Sequence, residues 1–207
     1  PGLRRDRPPR NIDGLLGYYS FDAGANLVEG SWPAIKASCD TALTAAGLVQ
    51  SGERAAFALC RPPGHHAGSC FMGGYCYINN AAGAAQFLRD NGAARVSILD
   101  VDYHHGNGTQ EIFHARRDVQ FLSIHADPLD EYPYLLGHAD ETGQGEGEGF
   151  NLNYPLPHGT GWEQWNEALT AACAEIARYG PDALVVSLGV DTYEKDPISR
   201  FRLRSQD

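Results

Sequence analysis

The chain has 207 residues, 43% of them apolar, and its 16 basic against 26 acidic side chains give a formal net charge of −10. This apolar content is enough to bury a core, which excludes a disordered chain, while the net charge argues against proteins that bind duplex nucleic acid or anionic membranes. Five scattered cysteines without a C-x-x-C pair favour neither a disulfide framework nor a thiolate metal site, and they indicate a reducing, cytoplasmic location.

An extended segment comes first, and helical spacing then alternates with short apolar runs from Ser31 onward. Residues 1–30, which contain many Pro, Gly and Arg residues, predict an extended surface segment. Ser31 is expected to cap a helix that runs to Gly47. The apolar run at 55–60 then predicts a buried strand.

The same alternation continues through the middle of the chain. Asn79 or Asn80 is expected to cap an alanine-rich helix that stops near residue 91. Apolar runs predict strands at 95–101 and 119–124, with a short helix at 109–115 between them.

The last third predicts one long loop, one helix and one strand. The stretch 127–160 is expected to be irregular, and its GQGEGEG tract at 143–149 matches no phosphate-binding fingerprint, which favours a flexible acidic loop. A capping box that begins at Thr160 predicts a helix that ends at Gly180, and a buried strand is predicted at 183–188. Buried strands that alternate with helices predict an α/β fold, a parallel sheet with helices on both faces.

Imidazoles and carboxylates follow each of the four predicted strands. Because ligands of open parallel α/β sheets bind at the carboxyl ends of the strands, these side chains are expected to gather along one edge. The clusters are HH at 65–66, DVDYHHGNG at 100–108, HAD at 125–127 and Asp191.

The D-x-H pair of Asp102 and His104 predicts a metal site. Two residues apart in extended backbone, these side chains point to the same side and can share one cation. Carboxylate and imidazole ligands suit Zn²⁺ or a similar divalent ion. Asp191 is the best candidate for a third ligand, and three protein ligands leave a position open for water and substrate.

Two other interpretations of this segment are weaker. An EF-hand would use Asp100, Asp102 and Glu111, but His105 replaces the glycine that such a loop needs, and a strand leads into it. A surface loop with incidental acids is disfavoured by the apolar strand core that precedes them.

The pair of His65 and His66 is either an exposed polar dipeptide, two core histidines with satisfied hydrogen bonds, or catalytic. The preceding Pro-Pro-Gly and the position at a strand end favour the catalytic interpretation. Two imidazoles beside a metal could activate water and then protonate a leaving amine. Asp100 and Asn107 are available to hold their other ring nitrogens.

Four segments resemble the histone deacetylase superfamily, and most of all its bacterial acetylpolyamine amidohydrolase branch. They are RPPGHH (61–66), GGYCYINN (73–80), LDVDYHHGNGTQ (99–110) and SLGVDT (187–192). The resemblance covers nearly the whole chain and implies the arginase–deacetylase fold, with residues 1–207 as a single, partial catalytic domain.

The resemblance also implies a role for each residue of the site. The zinc ligands would be Asp102, His104 and Asp191. The tandem general base and acid would be His65 and His66, held by Asp100 and Asn107. A structural K⁺ would be bound by Asp100, Asp102, His104, the Ser123 hydroxyl and the Ile124 carbonyl. The substrate would lie between Tyr75 and Tyr132, with its amide N–H donating to the Gly74 carbonyl.

The implied reaction is hydrolysis of an acylated amine, in which zinc polarises the acyl carbonyl and His66 activates the attacking water. Enzymes of this family also use a tyrosine from a glycine-rich loop as an oxyanion donor, and such a donor is worth ~10²–10³ in rate. No residue up to Asp207 matches that tyrosine, and the chain begins at Pro1. The resemblance therefore implies an internal piece of a longer enzyme, itself weak or inactive.

Substrate choice depends on residues 13–30, which resemble an insertion that narrows the entrance and helps form a homodimer in the polyamine enzymes. A narrow acidic entrance favours a small cationic acylated amine. Asp22 and Glu29 either supply this charge or are solvated loop acids. The alternatives are a deacetylase of acetyl-lysine in proteins, a non-catalytic fragment that binds acylated ligands, and an arginase-like binuclear manganese hydrolase. The last is disfavoured because Gly106 stands where a further carboxylate is required.

Overall fold

The structure is a computed structural model that describes residues 6–207. This part of the chain contains four parallel strands and five α-helices. Residues 1–5 of the predicted extended segment lie outside the described residues. No helix within 6–207 is both long and apolar enough to cross a membrane. The elements are α1 (Ile12–Tyr19), α2 (Ser31–Gln50), α3 (Asn80–Asp90), β1 (Val96–Asp100), α4 (Asn107–Phe113), β2 (Val119–Ala126), a 3₁₀ turn (Gly145–Gly147), β3 (Asn151–Leu156), α5 (Trp162–Tyr179) and β4 (Ala183–Ser187).

All pairings in the sheet are parallel, and the strand order is β3-β2-β1-β4. Every residue of β1 and β2 is buried, which is typical of central strands in a sheet covered on both faces. At the carboxyl end of β1, Asp100 lies in register between Ser123 of β2 and Ser187 of β4. The loops that follow β1 and β4 therefore leave the sheet side by side.

Helices cover both faces of the sheet. Successive strand residues point to opposite faces, so each face has its own set of buried apolar side chains. Ile98 and Phe121 belong to a core that includes side chains of α3 and α4. Leu99 and Leu122 belong to a second core that includes side chains of α5. The predicted α/β architecture is confirmed.

The predicted caps at the start of α3 and at the end of α5 are confirmed. The Asn79 side chain accepts a hydrogen bond from the Ala82 N–H at 3.0 Å, and Gly180 ends α5 in the left-handed conformation with φ of 62°. The capping box at Thr160 is wrong. The Thr160 hydroxyl donates to the Pro157 carbonyl at 2.7 Å, and α5 begins two residues later.

The predicted extended segment at the start of the chain contains α1, which its two glycines concealed because glycine lowers helix propensity. Asn11 caps α1 by accepting from the Asp13 N–H at 2.8 Å. Ser31 is the first residue of α2 rather than its cap, since its hydroxyl accepts from the Val28 N–H at 2.9 Å. This helix also continues three residues beyond Gly47.

One predicted strand is absent from the structure, and one strand in the structure was not predicted. The run at 55–60 forms no strand, since no described strand pairs with it, and Phe57 and Leu59 are 71% and 80% exposed. In contrast, β3 lies inside the stretch 127–160 that was expected to be irregular. Asn and Pro are depleted in strands, which hid it. Pro155 is tolerated because β3 pairs with only one neighbour, β2, among the described strands. The backbone N–H that proline lacks is therefore not needed for hydrogen bonds to a strand on the other side.

Candidate metal centre and histidine pair

The loops after β1 and β4 bring three predicted metal ligands together. Asp102 and His104 follow β1, Asp191 follows β4, and one donor atom from each lies within 4.8 Å of the other two. His104 Nδ1 is 3.2 Å from Asp102 Oδ1 and 3.0 Å from Asp191 Oδ2. All three side chains are partly buried. This arrangement offers two carboxylates and one imidazole to a single ion.

Backbone hydrogen bonds hold the two loops in register. The His104 N–H donates to Asp102 Oδ1 at 2.8 Å, and the Tyr103 N–H donates to Asp191 Oδ1 at 2.9 Å. Gly189 packs against Asp102 so closely that a Cβ at position 189 would lie 2.0 Å from Asp102 Oδ2. The sequence therefore places a residue without a side chain where the Asp102 carboxylate needs the space.

The charges at this centre explain why it fits a cation. Burial alone would raise the pKa of Asp102, but His65 and His104 outweigh burial and hold it well below its usual range. Burial would lower the pKa of His104, yet hydrogen bonds to Asp102 and Asp191 raise it to about 10. Burial raises the pKa of Asp191. The His104 imidazolium thus lies between the carboxylates of Asp102 and Asp191, and a divalent cation with oxygen and nitrogen ligands could replace its proton.

His65 and His66 lie next to this centre and are both buried. Their ring centroids are 3.9 Å apart. His65 Nδ1 is 2.9 Å from Asp100 Oδ2, and His66 Nδ1 is 2.7 Å from Asn107 Oδ1, so both expected hydrogen bonds are present. Each Nδ1 is thereby engaged, and Nε2 of His65 lies 3.8 Å from Asp102 Oδ1, so the Nε2 side of His65 faces the candidate metal centre.

The two imidazoles have opposite pKa shifts. Burial would lower the pKa of His65, but the charges of Asp100 and Asp102 outweigh it and raise that pKa to about 9. Burial lowers the pKa of His66 well below its usual value, and the neighbouring His65 lowers it further. At neutral pH the pair therefore holds one protonated and one neutral ring. Adjacent groups whose pKa values are driven apart are typical of acid and base partners.

Close backbone packing around the pair requires two glycines. A Cβ at Gly106 would lie 2.4 Å from Asp100 Oδ2, and one at Gly108 would lie 2.2 Å from the Ala67 carbonyl oxygen. The Gly108 N–H also donates to the His65 carbonyl at 3.0 Å. These contacts fix the backbone that carries the histidines against the start of α4.

Two of the predicted substrate-binding residues, Gly74 and Tyr132, border His66. The Tyr132 ring meets the His66 ring edge-on, with centroids 4.9 Å apart. Gly74, with φ of +52°, approaches so closely that a Cβ there would lie 2.2 Å from the His66 ring. Tyr75 follows with φ of 65° and is 61% exposed. A Cβ at Gly24 would lie 3.6 Å from the Tyr75 ring.

The residues expected to bind a monovalent cation lie at the ends of neighbouring strands. Asp100 pairs in register with Ser123, and both are fully buried, as is Ile124. Asp100 Oδ1 accepts from the Asp102 N–H at 3.1 Å. The Ser123 hydroxyl is 2.8 Å from Nδ1 of His125.

Asp22 has contacts that the sequence did not indicate. It is not a solvated loop acid, since its carboxylate accepts hydrogen bonds from the Gly74 N–H and the Tyr132 hydroxyl. The partners lie 52 and 110 residues away along the chain, so no local pattern could have identified them. Glu29, the other predicted entrance acid, is exposed.

Comparison with known proteins identifies the family that the chain matches. The sequence profile of the histone deacetylase domain matches residues 9–207. Acetylpolyamine amidohydrolase 1 of Pseudomonas aeruginosa is 64% identical over 99% of this chain and 60% of its own length, and acetylpolyamine amidohydrolase of Mycoplana ramosa is 53% identical over 99% and 61%.

Among solved structures, acetylpolyamine aminohydrolase from Burkholderia pseudomallei superposes with a TM-score of 0.94 at 47% identity. That match covers 98% of this chain and 59% of the solved one. The chain thus spans about 60% of the length of the relatives it matches.

Proposed function

Because the chain belongs to the histone deacetylase domain family and has its arginase–deacetylase fold, we propose that the protein hydrolyses acylated amines, with acetylpolyamines as the substrate class. The names of the similar relatives support this substrate. The observation that carries the proposal is the convergence of Asp102, His104 and Asp191 beside two histidines with opposite pKa shifts. Residues 1–207 form the catalytic domain, or part of it, in this proposal.

The proposed cofactor is one Zn²⁺ held by Asp102, His104 and Asp191. Their oxygen and nitrogen donors suit zinc, and three protein ligands are typical of a catalytic zinc site. When bound, zinc supplies a Lewis acid that polarises the acyl carbonyl and acidifies water. A binuclear arginase-like site is disfavoured, since the donor cluster found among the described residues contains these three side chains alone.

Proton transfer is assigned to the histidine pair. His66 is neutral and accepts the proton of the attacking water at Nε2, because its Nδ1 is engaged by Asn107. His65 is protonated against Asp100 and serves as the acid of the pair. The proton then passes from the pair to the leaving nitrogen, so that the C–N bond breaks to give a free amine and a carboxylate.

The walls of the site hold the substrate. In the proposed complex, the methylene chain lies between Tyr75 and Tyr132, and the amide N–H donates to the Gly74 carbonyl. The edge-on contact of Tyr132 with His66 supports this, because a chain that passes this ring arrives at the catalytic nitrogen. A structural K⁺ bound by Asp100, Asp102, His104, Ser123 and Ile124 would stiffen the strand ends beneath.

A homodimer and a narrowed entrance are proposed for the segment 13–30. Several apolar side chains in and around it are exposed, as a contact surface requires. They are Ile12 (66%), Leu27 (55%), Val28 (73%) and Trp32 (65%). A cytosolic location is part of the same proposal, supported by five cysteines that are all free.

The function is tested with the complete gene product and two substrates, N-acetylputrescine and an acetyl-lysine peptide. We expect turnover of N-acetylputrescine, about one zinc per chain, and loss of both in Asp191→Ala. Asp140→Ala, which removes an exposed carboxylate, serves as the control and should retain both. Preferred turnover of the peptide would favour a protein deacetylase. Stoichiometric zinc in Asp191→Ala would contradict the ligand assignment.

A further inference from the structure

Asp22 lies in the segment between α1 and α2, yet its carboxylate is occupied by protein donors. Oδ1 accepts from the Gly24 N–H at 2.8 Å, and Oδ2 accepts from both the Gly74 N–H and the Tyr132 hydroxyl at 2.7 Å. Burial alone would raise the pKa of Asp22, but these hydrogen bonds outweigh burial and lower it. The carboxylate is therefore charged at neutral pH, and its oxygens are engaged inside the protein.

Both partners of Oδ2 border His66. The Tyr132 ring centroid is 4.9 Å from that of His66, with the rings at 89°. A Cβ on Gly74 would lie 2.2 Å from the His66 ring and 2.9 Å from the Tyr132 hydroxyl oxygen. One carboxylate oxygen thus connects the two groups that enclose the catalytic imidazole.

The surrounding segment is also joined to the same groups. The Met72 N–H donates to the Tyr19 carbonyl at 2.7 Å, and the Phe21 N–H donates to the Met72 carbonyl at 3.2 Å. The Phe21 ring stacks on Tyr132 with centroids 6.0 Å apart. A Cβ on Gly73 would lie 2.3 Å from the Phe21 ring. Asp22 therefore acts from a segment that is itself fixed against the wall of the site.

We propose that Asp22 is a positioning residue, whose carboxylate holds Tyr132 and the Gly74 backbone against His66 and so sets the path by which the acyl group reaches the metal centre. The proposal rests on the proposed hydrolytic function for its kinetic effect. It gives a reason for tyrosine at position 132, since a phenylalanine would offer the same ring but no donor. Asp22 is then not a free carboxylate that binds a substrate ammonium.

The competing explanation is that Asp22 acts through charge alone, by attracting a cationic substrate to the entrance. The two explanations differ in three respects. They differ in whether hydrolysis of an uncharged substrate is affected, whether the Tyr132 hydroxyl matters, and whether an exposed acid close in sequence to Tyr132 has the same effect as Asp22. Asp130 supplies that comparison, because it is exposed and lies two residues before Tyr132.

The experiment uses the complete gene product with four variants: Asp22→Asn, Tyr132→Phe, their double variant and Asp130→Asn as control. The substrates are cationic N-acetylputrescine and uncharged N-acetylbutylamine. Positioning predicts that each single variant lowers kcat by about 10-fold or more on both substrates, since small misplacements at a reacting centre are expensive. The double variant should lose no more than the worse single variant, because both single variants act on the same hydrogen bond between Asp22 and Tyr132. Asp130→Asn should be unchanged.

Charge attraction predicts instead a higher KM for N-acetylputrescine alone, in both Asp22→Asn and Asp130→Asn, with Tyr132→Phe unaffected. That result, or additive losses in the double variant, would overturn the proposal. Melting temperature and metal content are measured for every variant. Tyr132→Phe removes only a hydroxyl, so it remains informative if Asp22→Asn does not fold.

If the wild-type protein hydrolyses neither substrate, the hydrolytic function fails, and positioning is decided by NMR. The Gly74 amide should exchange with solvent at least about 10-fold faster in Asp22→Asn, because it loses its charged acceptor. The His66 imidazole resonances should shift in both Asp22→Asn and Tyr132→Phe but not in Asp130→Asn. Unchanged His66 resonances would overturn the proposal independently of any activity.

Discussion

Replacement of Gly189 by alanine would act directly on the proposed metal centre. The new Cβ would lie 2.0 Å from Asp102 Oδ2, 2.4 Å from its Cγ and 2.6 Å from its Cβ. Contacts of a Cβ below 3.0 Å essentially do not occur, so Asp102 must move. The overlap reaches the Asp102 Cβ, so rotation of the carboxylate alone cannot relieve it. A displacement of about 1 Å is needed to reach a 3.0 Å contact.

This displacement is large compared with what a metal site tolerates. Ligand distances in functional sites are held within about 0.2 Å, so a shift of about 1 Å removes Asp102 from the ligand set. Changes to groups that merely orient a ligand already cost about 10- to 100-fold in metal affinity. We therefore expect Gly189→Ala to weaken zinc binding by about 100-fold or more, which corresponds to about 2.7 kcal/mol.

The measurement is a competition titration of the complete, metal-free protein with a chromophoric zinc chelator, combined with kcat/KM on N-acetylputrescine. Gly47→Ala is the matched control, because its new Cβ would meet only the Phe87 ring, at 3.9 Å. Zinc affinity in Gly189→Ala within about threefold of wild type, in a folded protein, would refute the reasoning. Either Asp102 would not be a ligand, or the loop after β4 would yield without cost.

Three further outcomes are expected. His66→Gln should lower kcat by ~10²–10⁴ while zinc content stays unchanged, measured by steady-state kinetics and metal analysis; loss of zinc would mean that His66 holds the metal instead. In the metal-free protein the pKa values of His65 and His104 are raised from 6.5 to about 9 and about 10, so their stabilising contribution is complete below pH 6.5 and disappears as the pH rises through those values. Melting temperatures recorded with a chelator should therefore fall between pH 6.5 and pH 10, and a flat profile would contradict the ion pairs. Gly47→Ala lies inside α2 with room for a methyl group, so it should stabilise the protein by about 0.5–1 kcal/mol in urea unfolding, whereas a loss of stability would show that the helix cannot accept a Cβ there.

Elements with strong local signals could be predicted from the sequence. The apolar run through Ile98 and Leu99 identified β1, and the Gly180 signal identified the end of α5. The run at 55–60 has a similar apolar composition but forms no strand, because a strand also needs a neighbour to pair with. Pairing depends on the fold as a whole, so composition alone could not separate these two cases.

Some residues of the candidate site could likewise be predicted from local sequence patterns, and others could not. Asp102 and His104 are two residues apart, and the rule that ligands bind at the carboxyl ends of parallel strands was enough to add Asp191 from 87 positions beyond His104. The contact between Asp22 and Tyr132 joins residues 110 apart that follow no common pattern. The residues of the proposed metal centre could therefore be predicted from the sequence, whereas the contact of Asp22 with Tyr132 became visible only in the folded chain.

The proposed assignment of acid and base depends on the different hydrogen-bond partners of the two imidazole rings. His65 and His66 are both buried, with ring centroids 3.9 Å apart, so burial disfavours a positive charge on either ring. A carboxylate, Asp100, faces the first ring, and a neutral amide, Asn107, faces the second. The negative charges of Asp100 and Asp102 compensate a buried imidazolium at His65, so the proposed function assigns the proton to His65 and the role of base to His66. In this proposal, the roles within the pair depend on Asp100 at the end of β1 and on Asn107 at the start of α4 rather than on the histidines themselves.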